Sequence, residues 1–165
     1  MKITDITLTP LRTGKNLLRV HTDAGVEGWA EAAGRNVFGA YLEASIKPAL
    51  VGENPLDIGR HWDTLALGKG ERFYKLPGAV VGTIDVALWD LLGKEAGLPV
   101  YQLMGGATRT EIPLYWSTGS GWKMQPEDML ELVKVGWDAG YRSFKIRMDW
   151  RGWRQDINPE KDFQM

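Results

Sequence analysis

Apolar and polar residues alternate through the first third of the chain. ITDITLTPL, NLLRVHTDAG and VEGWAEAA each carry the period of two that suits a strand with one covered face. Asp23-Ala24-Gly25 supplies a polar, glycine-bearing hairpin turn, and Thr13-Gly14-Lys15 breaks the pattern before it. The prediction is a three-stranded antiparallel meander over residues 2–33. Helical spacing takes over at Phe38. Tyr41, Leu42, Ser45, Ile46 and Ala49 recur at three and four, with Pro48 and Gly52 closing the segment. Pro55 opens a second predicted helix carrying Ile58, Trp62, Leu65 and Ala66, and residues 68–78, GKGERFYKLPG, read as a loop.

The longest predicted helix runs from Ala79 to Glu95. Ile84, Leu88, Leu91 and Leu92 share one apolar face, while Asp90 and Lys94 form an i,i+4 pair on another. Its stop is explicit, because Gly97 takes a left-handed position after the last turn and Pro99 forbids continuation. From residue 112 the pattern changes again: IPLYWS reads as a strand, Pro126 to Ala139 as a helix, and SFKIRM as a second strand. Met129, Leu130, Val133 and Trp137 mark the apolar face expected of that helix. Strand, helix, strand at this spacing is a βαβ unit, which makes a parallel pair covered on its faces. Asn158-Pro159-Glu160 has the cap, the first-position proline and the first-turn acid of a helix start, yet only KDFQM follows. One turn does not meet the nucleation cost of a helix, so the chain is expected to be a truncated one.

Composition narrows the functional classes. A chain of 165 residues with 44% hydrophobic content can bury one good core, or form one small domain plus part of another. Twenty Lys+Arg against 21 Asp+Glu leave a net charge of -1, so no basic field recruits nucleic acid or an anionic membrane. The absence of cysteine removes disulfides, thiolate zinc sites and cysteine nucleophiles. MKITDITLTP lacks the apolar core of a signal peptide, and AVVGTIDVALWDLL, broken by Asp85 and Asp90, falls short of a membrane span. A cytoplasmic protein is expected.

The candidate chemistry begins at SFKIRM. On a strand, Lys145 and Arg147 share a face with Ser143, while Phe144, Ile146 and Met148 point the other way. If that face lines the inside or rim of a curved parallel sheet, two adjacent cations need an anion, because desolvating them unpaired costs several kcal/mol each by rough estimate. The alternative is an edge strand whose polar side faces water, and spacing alone does not choose. His21 in a strand pattern and His61 in a helix pattern read as structural histidines. STGSGW lacks the G-x-G-x-x-G spacing of a nucleotide loop. Trp116, Trp122, Trp150 and Trp153 raise a different reading, a non-catalytic module that binds carbohydrate or protein on an aromatic platform. A third is a structural piece that associates through a sheet edge and apolar helix faces.

IDVALWDLLGKEAGLPVYQLMGG, residues 84–106, resembles the helix and turn that close the capping domain in the mandelate racemase and muconate lactonizing enzyme branch of the enolase superfamily. IPLYWSTG resembles the first barrel strand of that branch, and the strand ending in K-x-R its second. The implied fold is an α+β capping domain, a three-stranded antiparallel meander plus helices over residues 1–110, followed over residues 111–165 by the first β/α units of a truncated TIM-like barrel. The implied activity is magnesium-dependent abstraction of the proton next to a carboxylate, with an acid-sugar dehydratase expected and a racemase or epimerase parent as the alternative. By the same resemblance Lys145 sits near the substrate carboxylate, and Arg147 occupies the place of the usual lysine base. A guanidinium stays protonated, so Arg147 suits a fixed charge or carboxylate clamp better than a base. Tyr74, with Arg72 and Lys75 in the 68–78 loop, and Ser117 and Thr118 at the end of the first barrel strand, are the implied substrate contacts. The family's metal carboxylates come from later strands, beyond Met165, and Asp149, Asp156 and Asp162 do not match the metal motif. The resemblance thus implies no metal ligand here, a small carboxylate substrate, a homo-oligomeric parent enzyme and an isolated chain without activity.

Overall fold

Alternation in the first third produces β1 (Ile3–Pro10), β2 (Asn16–Thr22) and β3 (Gly28–Ala32), joined antiparallel in that order within the predicted span. The computed structural model describes residues 1–32, 35–68, 76–118 and 126–146, the side chains of residues 35–37 excepted. Register places Ile6 opposite Val20 and Leu18 opposite Ala30, so these residues point together into the core. The other face is polar. His21 bridges Glu27, 2.7 Å from Nδ1, and the Thr7 hydroxyl, 2.8 Å from Nε2.

The helical layer covers the apolar face. α1 (Arg35–Tyr41), a π turn (Leu42–Ile46) and α2 (Lys47–Leu50) follow one another without a break. Here the expectation for Pro48 is corrected: it does not close the segment but sits in the first turn of α2. The Lys47 N–H reaches back five residues to the Leu42 carbonyl, and this widened turn removes the regular ladder that a proline would break. α3 (Ile58–Ala66) starts after Pro55, which lies in a turn where the Asn54 carboxamide oxygen accepts from the Leu56 N–H at 3.2 Å. His61 and Leu65 form its buried side; Trp62, expected on that side, is exposed. His61 Nε2 donates to the Asn54 carbonyl at 2.7 Å, a structural role.

α4 (Gly78–Ala96) buries Val80, Val81, Ile84, Ala87, Leu88 and Leu91, whereas Leu92, expected with them, is only partly covered. It lies so close to the sheet that a Cβ on Gly28 would stand 2.0 Å from the Ala87 carbonyl oxygen. Gly97, at φ 65°, ends the helix, and α5 (Val100–Leu103) follows Pro99. The core cluster runs from Ile3 to Leu91. Among the described residues no helix is long and apolar enough to cross a membrane.

The chain divides into two compact units, Met1–Thr108 and Arg109–Met165. In the second, β4 (Trp116–Ser117), α6 (Pro126–Asp138) and β5 (Phe144–Lys145) form a strand–helix–strand unit with parallel strands. The expected barrel is represented among the described residues by this one pair, and each strand is shorter than predicted. The predicted face of α6 is also corrected: Met129 and Gly136 are buried, while Leu130 and Trp137 are exposed. The turn of helix that meets β4 carries a glycine, because the Trp116 ring occupies the space where a Cβ of Gly136 would be, 2.5 Å from its Cγ.

Candidate functional site

Parallel pairing sets Trp116 beside Phe144 and Ser117 beside Lys145. The Trp116 N–H donates to the Ser143 carbonyl at 2.8 Å and the Thr118 N–H to the Lys145 carbonyl at 3.1 Å. Trp116 faces α6, stacked on Gly136 and 5.1 Å from the Tyr141 ring. Side chains alternate along a strand, so Ser117 and Lys145 point away from the helix, and both are exposed. Two of the sequence-derived candidates are therefore neighbours on one face, and Thr118 continues β4 at its C-terminal end. Tyr115 joins them, its ring 5.9 Å from the Lys145 ammonium. It was missed in the sequence, although its parity with Ser117, two positions on, could have found it. Arg147 and Tyr74 lie outside the described residues.

Chemically, this face presents one ammonium, hydroxyl groups and an aromatic ring. Lys145 has no carboxylate partner among the described residues, so its charge is available to an incoming anion. Magnesium is held by carboxylate oxygens, and this face offers only hydroxyls beside a repelling cation. The described residues also contain no group of three or more His, Asp or Glu able to hold a metal. These side chains do not fit the ion. Of the tryptophans considered for an aromatic platform, Trp116 is turned inward against α6, and Trp122, Trp150 and Trp153 lie outside the described residues.

Residues 9–105 match the N-terminal domain of mandelate racemase / muconate lactonizing enzyme. The chain belongs to this family. A D-galactonate dehydratase of Verminephrobacter eiseniae is 33% identical over 150 residues, covering 88% of this chain and 38% of the relative. A D-xylonate dehydratase of Haloferax volcanii is 39% identical over 137 residues, 81% of this chain and 33% of the relative. An enolase of Pantoea ananatis, solved with bound D-gluconate and Mg, superposes with a TM-score of 0.72 at 25% identity, covering 88% of this chain and 36% of that one. The chain spans well under half the length of the curated relatives it matches. The matched family domain begins at the end of β1 and covers β2, β3, the core helices and nearly all of the 84–106 motif; Ser117, Thr118 and Lys145 follow it.

Proposed function

We propose that this chain is the capping domain and the opening strand–helix–strand of an acid-sugar dehydratase, with residues 111–165 beginning a (β/α) barrel. The observation that carries the reading is the placement of Ser117 and Lys145 side by side at the ends of two parallel strands, facing away from the covering helix. Ligands of parallel α/β sheets bind at the carboxyl ends of the strands. The dehydratases related to this chain act, by their names, on D-galactonate and D-xylonate, both carboxylates bearing several hydroxyls.

In that reaction the acid loses the proton next to its carboxylate and the neighbouring hydroxyl leaves as water. The enol that remains becomes a 2-keto-3-deoxy acid. Negative charge grows on the carboxylate as the proton departs, and a cation fixed beside it lowers the barrier most where water is excluded. Lys145 takes that role here, the Ser117 and Thr118 hydroxyls orient the polyol, and Arg147 adds a permanent second charge. Magnesium would be held by residues other than those on this face, and would supply Lewis-acid stabilisation of negative charge there.

Two assays test the reading. The purified 165-residue protein should form no 2-keto-3-deoxy acid from D-galactonate or D-xylonate with magnesium; metal-dependent turnover by it would contradict the assignment. In a full-length enzyme containing this chain, Lys145→Met should lower kcat/KM by about 100-fold or more, in line with the loss of a fixed transition-state charge. An unchanged kcat/KM would remove Lys145 from the site.

A further inference from the structure

β3 is an edge strand, and an edge presents unpaired backbone groups that invite another chain to add to the sheet. One of its outward groups, and one on the residue just before it, are already occupied by side chains. The Trp29 N–H donates to the Asp90 carboxylate at 2.8 Å, and the Glu27 carbonyl accepts from the Lys94 ammonium at 2.9 Å. Asp90 and Lys94, one turn apart on α4, are themselves joined at 2.6 Å, and the ammonium lies 5.6 Å from the centre of the exposed Trp29 ring. A donor and an acceptor two residues apart on one edge are the positions that two residues of an incoming antiparallel strand, themselves two apart, would bond.

We propose that the Asp90–Lys94 pair is an edge guard. It stands where a fourth strand would dock, and the strand it keeps out is β3 of a second copy. The occupant follows from the strand itself: Trp29 and Glu31 project from one face, Ala30 and Ala32 from the other, so two β3 strands meeting antiparallel bring like surfaces together in register. Glycine at position 28 brings the α4 backbone close enough for the Asp90 carboxylate and the Lys94 ammonium to reach the strand. Asp90 and Lys94 both lie in the 84–106 motif, and the guard gives that stretch a duty apart from capping a barrel.

The test uses the full chain. In the wild type, exchange of the Trp29 amide should be slowed by about tenfold or more relative to an unprotected edge amide, as expected for a hydrogen bond to a charged acceptor. Exchange at the unprotected rate would overturn the proposal without any variant. The Asp90→Ala/Lys94→Ala double variant should sediment with an added, concentration-dependent associated species. Adding Glu31→Pro should abolish that species, since residue 31 has its N–H on the same outward side as Trp29 and proline there blocks strand addition while leaving the β2 pairing intact. A folded double variant that sediments like wild type overturns the proposal, as does association that persists with proline at 31. Asp90→Asn, which keeps an acceptor for the Trp29 N–H, should associate less than Asp90→Ala.

Discussion

A single hydrogen atom in place of a methyl sets the distance between sheet and helix at Gly28. A Cβ there would lie 2.0 Å from the Ala87 carbonyl oxygen and 2.9 Å from the Leu91 Cβ, and backbone cannot swing aside as a flexible side chain can. Gly28→Ala should therefore cost about 3 kcal/mol in denaturant unfolding, the scale of overpacking a close contact. Two carboxylates give opposite pH signatures. The hydrogen bond from His21, with a further one from the Trp29 indole, holds Glu27 below the usual carboxylate range. A depressed folded value contributes stability that is complete above the unfolded pKa, about 4.3, and lost as pH falls through the folded one. The wild type should lose more stability than Glu27→Gln between about pH 5 and about pH 3 in thermal melts. Asp85 differs: burial in the recess beside His61 and Trp62 pushes its carboxyl up. Its contribution is present below the unfolded pKa of about 3.9 and is lost as pH rises through the higher folded value. Asp85→Asn should accordingly raise Tm at neutral pH, with the gap narrowing below about pH 4.

At the scale of elements, α6 sets two effects against each other. Replacing Gly136 by alanine favours a helix by about 1 kcal/mol, yet the added Cβ would stand 2.5 Å from Cγ of Trp116, next to that residue's own backbone. The clash should win, and Gly136→Ala should destabilise the second unit, read as faster amide exchange across β4 and α6. The elements legible in the sequence are those whose evidence is local. The meander follows from alternation and its hairpin turn, and α4 from periodicity with the Gly97 and Pro99 stop. The π turn was hidden because Phe38, Leu42, Ile46 and Leu50, spaced four apart, drift only about 40° per step on a regular helix and stay within one broad apolar stripe, which does not reveal the bond that reaches back five residues. Leu130 and Trp137 misled for another reason: apolar character marks what can be buried, and only the packing partner, here the Trp116 ring over Gly136, decides which side is. In the candidate site, the side on which Lys145 lies could be read from alternation, but its pairing with Ser117 is a register across the 27 residues from 118 to 144 and leaves no local trace.

At the scale of the whole molecule, burial is uneven. The first unit holds the core cluster, whereas Met129 is the buried large apolar residue among the described residues of the second. Ile112 and Leu114, 72% and 69% exposed, stand outside any core. Regions with few buried apolar contacts open at low free-energy cost. Limited proteolysis should consequently cut first within residues 109–165 and leave a resistant fragment ending near Thr108; equal rates in both units would refute this ordering. The position of the last core residue has a consequence for synthesis. Among the described residues, every member of the cluster lies at or before Leu91. On a ribosome adding roughly 5–20 residues per second, the amino-terminal unit can condense while the Lys145 strand is still in the exit tunnel, so the carboxyl-terminal segment emerges after its predecessor is already solid.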